Sequence, residues 1–291
     1  MTQKQGGSIE LNSKSGLKLS KIPTCINAHP NSEPHYKSQL KKNHAALKEF
    51  QTLLYSGHAK ALLIIFQGMD TAGKDGAIEH VMSGVNPQGC SVVSFKTPTS
   101  AELDHDFFWR ANQVLPARGM IGIFNRSYYE EALITRVHPE LLLKEKLPSG
   151  KIYGNKFWSD RYRDIVNHEK YLHRQGYEIV KIFIHISKDE QKKRLMDRFS
   201  DPKKQWKISE GDVRERAFWN EYQHAYEQCL RHTGTKTAPW YIVPGDDKKS
   251  ARLQISQILI TRFEAMKLEY PELNPEEQQR LKKLKALLGK E

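Results

Sequence analysis

The sequence predicts a three-layer α/β/α protein organised on a five-stranded parallel sheet, and two observations carry that reading. Short apolar runs recur at Ala61–Gln67, Ser91–Lys96, Met120–Phe124, Ile179–Ile186 and Trp240–Val243, with helical periodicity between them. Strands that alternate with helices form a parallel sheet covered on both faces. The first run ends in Gly68, and Gly73-Lys74 follow at the head of an amphipathic segment. That is a strand, a phosphate-cradling loop and a helix.

The elements follow in order. Residues 1–32 are rich in Gly, Ser, Lys and Asn without periodicity, which predicts a flexible, extended arm. Leu40, Leu47, Phe50 and Leu54 fall at near-helical spacing over Lys37–Tyr55, and Gly57 stops that helix. After the loop helix, Asn86-Pro87-Gln88-Gly89 breaks the chain before the second strand. Thr97-Pro98-Thr99-Ser100 caps a helix expected to run to about Leu115, and Arg118-Gly119 turns into the third strand.

A further helix and a loop around Pro148, Ser149 and Gly150 come next. Phe157–Arg174 is a long helix stopped by Gly176, and the fourth strand follows it. Lys188–Phe199 is a basic helix, Ser200–Ile208 a basic loop, and Ser209–Leu230 a helix with acids in its first turn. The fifth strand closes at Pro244-Gly245, and Ser250–Leu268 completes the core. Asn274-Pro275-Glu276-Glu277 starts a last helix with a cap, a first-turn proline and first-turn acids. The domain reading is an arm over 1–32, one α/β domain over 33–270 and a C-terminal helix over 271–291.

Composition bounds the partners. A chain of 291 residues with a net charge of +12 and a pI near 9.4 suits a polyanion: nucleic acid, an anionic membrane or a highly charged small substrate. Cys25, Cys90 and Cys229 are far apart and lack CxxC spacing, which excludes a zinc site or disulfide framework and points to a reducing compartment. No apolar run approaches the roughly 18 residues of a spanning helix, so a soluble, cytoplasmic protein is expected. The five tryptophans are dispersed and form no single-strand nucleic-acid platform. His105, His168, His173 and His185 have no partner at metal-ligand spacing.

Gly68–Lys74 fits G-x-x-x-x-G-K, in which backbone N–H groups turn onto phosphate oxygens and the lysine supplies a point charge. The expected binding set from this loop is Gly68, Ala72, Gly73, Lys74, Asp75 and Gly76. The helix beginning at Lys74 adds its positive dipole end. Asp75 stands where a Ser or Thr normally holds Mg²⁺, so the metal must be held differently or Asp75 must reach it itself. Asp70, a carboxylate facing bound phosphate, is the candidate for metal binding or acceptor orientation.

Other candidates lie at neighbouring strand ends, where a parallel sheet binds ligands. Asn125 occupies the usual position of a metal-reaching acid, and Arg126 beside it suits a nucleotide phosphate. Lys96 and Arg136 are weaker candidates on the same wall. Lys188–Lys207 holds eight Lys or Arg against four acids, with Arg194 and Arg198 one helical turn apart. Its position after the fourth strand is that of a kinase lid, placed here at about 188–208, which supplies arginines to charge developing in transfer.

Seven ordered motifs between His44 and Phe263 resemble the family-2 polyphosphate kinases, whose core is similar to thymidylate kinase. They are GMDTAGKDG from Gly68, SGVNPQGC from Ser83, SFKTPT from Ser94, ELDHDFFWR from Glu102, GIFNRSYYEE from Gly122, RVHPE from Arg136 and APWYIVPGDDK from Ala238. The resemblance implies a P-loop kinase-like fold. It also implies reversible transfer of the terminal phosphoryl of inorganic polyphosphate to AMP or ADP, with Mg²⁺ or Mn²⁺. Carried over by motif, Lys74 holds the transferred group and Asp70 orients the acceptor or metal. Arg126 holds the nucleotide phosphate, and Arg194 and Arg198 face polyphosphate. Tyr129 and Glu130 join the nucleotide set through the same motif as Arg126.

Asn125 and the RVHPE segment resemble the group that accepts both AMP and ADP. The implied partners are polyphosphate and purine nucleoside mono- and diphosphates, without nucleic acid or membrane, in a homo-oligomer of two or four chains. Two other readings remain at this point: an ATP-dependent nucleoside monophosphate kinase, and a non-catalytic nucleotide- or polyanion-binding module.

Overall fold

The computed structural model describes residues 2–5, 8–11, 16–26, 33–147 and 154–289. In chain order the elements begin with β1 (Thr2–Gln5), β2 (Ser8–Leu11), α1 (Glu33–Gly57), β3 (Ala61–Gln67), α2 (Lys74–Val81) and β4 (Cys90–Ser94). Next come α3 (Ser100–Leu103), α4 (Trp109–Asn112), β5 (Ile121–Asn125), α5 (Glu130–Val137), α6 (Asn155–Arg174), β6 (Tyr177–His185) and α7 (Lys188–Ser200). The chain closes with α8 (Glu210–Glu215), α9 (Trp219–Thr233), β7 (Trp240–Pro244), α10 (Lys248–Ala265) and α11 (Pro275–Leu288).

The sheet runs β1-β2-β7-β6-β3-β5-β4. Its five strands from β7 to β4 are parallel, as the apolar runs require. Every residue of β3 is buried, because a central parallel strand is covered on both faces. Helices α1, α2 and α10 form one layer and α5, α6 and α9 the other. Phe50 of α1 stacks on Phe263 of α10 at 5.4 Å, joining two elements more than 200 residues apart. The chain fills β4 and β5 on one side of β3 and then β6 and β7 on the other. The loop after β3 therefore sits at the point where the connections diverge and a crevice opens.

Three expectations need correction. Within the expected arm, β1 and β2 form an antiparallel hairpin, and β2 pairs with β7 through Ile9–Ile242, Glu10–Tyr241 and Leu11–Trp240. Leu11, Leu17, Leu19 and Ile22 are buried in the core, so much of the arm is anchored by apolar contacts that its polar composition hides. Among the described residues the sheet accordingly has seven strands. Second, the helix expected to reach Leu115 is two short turns, because the Asp106 carboxylate accepts from the Phe108 N–H and offers the backbone a competing turn. Third, the helix expected over Ser209–Leu230 is divided by a tight turn at Arg216–Phe218. The loop expected around Pro148–Gly150 lies outside the described residues.

Candidate active site

The phosphate loop is fixed by contacts that a larger residue would break. Gly68 has φ +155°, and a Cβ there would lie 2.7 Å from the Ile184 carbonyl oxygen. Gly73 caps α2 with φ +98°. Lys74 then begins the helix with its side chain buried, and its ammonium donates to the carbonyls of Gly68 at 2.7 Å and Met69 at 3.2 Å. Burial, followed by the nearby Arg126 charge, lowers its pKa to about 8, against the opposing pull of Asp70, Glu130 and Asp75. The lysine is thus a desolvated cation held by its own loop.

The end of β5 supplies the facing wall. Arg126 adopts φ +63°, a left-handed conformation unusual outside glycine, and its N–H bonds the Phe66 carbonyl at 3.0 Å. Its guanidinium reaches Asp70 at 2.5 Å and Glu130 at 3.4 Å. Glu130, then Asp70, raises the Arg126 pKa further, so it stays charged throughout. Asn125 donates its side-chain amide to Asp75 at 2.5 Å. The two departures from a standard phosphate loop therefore touch each other: the acid after the lysine meets the amide at the strand end.

A cleft of about 800 Å³ opens from the loop. Nine cations line it, Lys74, Lys96, Arg126, Arg194, Arg198, Lys204, Lys207, Lys248 and Arg252, against Asp70, Asp75, Asp197 and Asp212. The excess is felt inside the cleft: burial, then the positive charges of Arg194 and Arg252, lowers the pKa of Lys248. A polyanion entering there meets converging cations whose mutual repulsion it relieves. No group of three or more His, Cys, Asp or Glu suited to a metal occurs among the described residues. The donors present, Asp70 and Asp75, fit a cation that takes one or two carboxylates and completes its shell with water and substrate phosphates, as Mg²⁺ does.

Comparison with known proteins gives this geometry a lineage. The sequence profile described as polyphosphate kinase 2 matches residues 30–271. The chain belongs to the polyphosphate kinase 2 family. It is 49% identical over 272 residues to an ADP-polyphosphate phosphotransferase of Rhodopseudomonas palustris, covering 94% of each chain. It is 41% identical over 226 residues to an AMP/ADP-polyphosphate phosphotransferase of Meiothermus ruber, covering 78% of this chain and 80% of that one. The crystal structure of a polyphosphate kinase 2 from Arthrobacter aurescens superposes with a TM-score of 0.82 at 37% identity, covering 93% of this chain and 94% of that one.

Within this polyphosphate kinase 2 fold the expected residues separate by their distance from the cleft. Asp70, Ala72, Gly73, Lys74, Asp75, Gly76, Lys96, Asn125, Arg126 and Arg198 line the cleft, and Gly68 lies at the root of the loop against the Ile184 carbonyl. Glu130 stands behind it as the ion-pair partner of Arg126.

Tyr129 and Arg136 do not reach the cleft. The Tyr129 hydroxyl is buried between Glu169 at 2.7 Å and Lys181 at 3.0 Å, and Arg136 covers the Trp158 ring and donates to the Tyr162 hydroxyl. A serine turn at Ser127 directs Tyr129 inward: the Ser127 hydroxyl accepts from the Tyr129 N–H.

Arg194 lines the cleft but has its guanidinium committed. Its five N–H bonds go to Glu190, to the Thr71 and Ala72 carbonyls, and to the Gly245 and Asp246 carbonyls, at 2.6 to 3.1 Å. It is a brace for the phosphate loop. Arg198, one turn on, keeps longer contacts to the Lys207 carbonyl and Asp212.

Sequence reasoning missed Lys248 and Arg252, whose i,i+4 spacing after the Pro244-Gly245 strand end was the available signal. It also missed Gln191, which is buried and donates to the Asp70 carbonyl at 3.1 Å while accepting from Arg216.

Proposed function

We propose that this chain transfers the terminal phosphoryl group of inorganic polyphosphate to ADP and AMP, and catalyses the reverse reactions. The observation that carries this reading is the cleft: a phosphate loop continuous with a cationic track too rich in charge for one nucleotide alone. Lys204, Lys207 and Arg198 extend the positive wall along the lid, where a linear polyanion needs it. The nucleotide-kinase fold and the names of the two relatives support the same reading.

An acceptor phosphate oxygen attacks the terminal phosphorus, and the bond to the bridging oxygen breaks, leaving polyphosphate one unit shorter. The acceptor oxygen is already anionic at neutral pH, so no strong general base is required. The chain's work is positioning and neutralisation of the three equatorial oxygens. Lys74 and the loop amides hold the transferred group. Arg126, aimed by its pairing with Asp70 and Glu130, holds the nucleotide phosphate. A divalent cation, Mg²⁺ with Mn²⁺ as its substitute, would be held by Asp70 and Asp75 with the substrate phosphates and would offset their charge.

Asn125 supports acceptance of both AMP and ADP, because an amide adds no charge beside a second phosphate-bearing ligand. The exposed leucines Leu281, Leu284 and Leu288 on α11 support a homo-oligomer of two or four chains. Among the described residues no helix is long and apolar enough to cross a membrane, and the three cysteines are free, which supports a reducing, cytoplasmic setting.

The test is one incubation with long-chain polyphosphate, Mg²⁺ and either AMP or ADP, with nucleotides separated over time and Lys74→Ala as the blank. ATP from ADP together with ADP from AMP is the expected result. Turnover of ADP alone removes the dual-acceptor assignment. No product with polyphosphate, but transfer from ATP to AMP, would mean an ATP-dependent nucleotide kinase.

A further inference from the structure

The segment 16–26 precedes residue 30, where the match to the polyphosphate kinase 2 family begins. It is nevertheless tied to the active site. Leu17, Leu19 and Ile22 anchor it in the core, and the Leu19 N–H donates to Glu227 at 2.9 Å. At its end Thr24 meets Asp246 twice: the Thr24 hydroxyl donates to the carboxylate at 2.7 Å, and the Asp246 N–H donates to the Thr24 carbonyl at 2.9 Å. The other carboxylate oxygen of Asp246 accepts from the Ser187 N–H at 2.8 Å.

The turn so fixed is the one that Arg194 grips. One terminal nitrogen of Arg194 donates to the Gly245 carbonyl at 2.6 Å and the Asp246 carbonyl at 3.1 Å. The other donates to the Thr71 and Ala72 carbonyls inside the phosphate loop. A planar guanidinium transmits the position of one set of carbonyls to the other, because its nitrogens cannot move independently. Glycine is needed at 245 for the turn to pack this closely on β6, since a Cβ there would lie 2.5 Å from the Ile184 side chain.

We infer that Thr24 and Asp246 are positioning residues for phosphoryl transfer: the N-terminal strap sets the turn, and Arg194 carries that setting into the phosphate loop. The inference rests on the phosphoryl-transfer reading for its effect on rate, though not for its effect on the loop. Neither residue contacts substrate in this assignment. Their contribution lies in the placement of loop amides, which matters most when charge develops on the transferred group.

The experiment is Thr24→Val in the full chain, with Thr24→Ser as the rescue. It is read by steady-state kinetics with polyphosphate and ADP, by thermal unfolding, and by hydrogen exchange of amides 69–73. Expected are a fall in kcat of about tenfold, the scale of one net hydrogen bond, with KM for ADP within about twofold. Loop exchange should quicken by about fivefold or more while β3 and α10 keep their protection. The serine variant, which retains the hydroxyl, should restore all of these.

Asp246→Asn is the second variant. It leaves one acceptor oxygen for two donors and should move kcat and loop exchange in the same direction if Thr24→Val unfolds. Unchanged exchange at 69–73 in the folded variants overturns the inference, as does a loss of kcat that serine does not restore. A wild-type chain with no turnover of polyphosphate overturns the phosphoryl-transfer reading instead, and the exchange comparison still decides the strap.

Discussion

Lys181 of β6 and Glu169 of α6 meet at 2.7 Å with both side chains sealed from solvent. The remaining Lys181 protons go to the Tyr129 hydroxyl at 3.0 Å and the Thr233 carbonyl at 2.8 Å, and Glu169 also accepts from the hydroxyls of Tyr128 and Tyr129. Every polar group of the pair is therefore satisfied, the condition under which a buried charge is tolerable. The two tyrosines follow Arg126 by two and three residues, so the network fixes the root of the segment that aims it.

Removing one partner leaves the other charge uncompensated. Lys181→Met is expected to destabilise the fold by about 3–5 kcal/mol, measured by denaturant unfolding. Replacing both, as Lys181→Met with Glu169→Leu, should recover part of that loss, the rest remaining with the Tyr128 and Tyr129 hydroxyls left without their partner. A double variant no more stable than the single one would contradict the pairing.

The pH dependence follows from Lys74. Burial and Arg126 lower its pKa to about 8, so the free enzyme loses this charge as pH rises through that value. The kcat/KM profile, which reports the free enzyme, should fall on the alkaline side with an apparent pKa near 8. Lys74→Arg, slower in absolute rate, should lack that limb because a guanidinium remains charged. A limb that persists unchanged in the arginine variant assigns it to another group.

Arg198 and Arg194 should behave differently although they lie one turn apart. Arg198→Ala is expected to raise the KM for polyphosphate about tenfold or more, the scale of a charge-assisted contact, with the nucleotide KM nearly unchanged. An effect confined to the nucleotide KM would remove Arg198 from the polyphosphate track.

Tyr129 supplies a test of the corrected assignment. Tyr129→Phe should cost about 1–3 kcal/mol of stability by leaving the Lys181 and Glu169 groups short of a partner. The KM values for AMP and ADP should stay within about twofold. A large nucleotide-KM change in a fully folded variant would return Tyr129 to the binding set.

Local pattern made much of this structure legible. The five parallel strands announce themselves because a strand buried on both faces is written in apolar residues, as in Ala61–Gln67. The loop is legible because its chemistry demands glycine at Gly68 and Gly73. What was hidden depends on distant partners. The polar stretch Thr2–Gln5 and its neighbour Ser8–Leu11 become strands only because β7, more than 220 residues later, offers an edge. Arg194 could be placed on the correct helix, but spacing does not reveal that backbone carbonyls would claim its donors. Tyr129 stood within a motif whose other members reach the cleft, and only the turn at Ser127 decides that its ring points inward.

The hairpin at the start of the chain also determines how the sheet ends. All five residues of β7 are buried, and β2 occupies the side of β7 opposite β6. Without β2, β7 would present an unpaired apolar ladder, the form of edge that recruits strands from other molecules. The opposite edge, β4, is half-exposed and ends against no further strand in the described sheet. A shortened chain lacking the first eleven residues would therefore carry two open edges, and its difficulty would be colloidal before it was catalytic: clumping at concentrations where the intact chain stays dispersed.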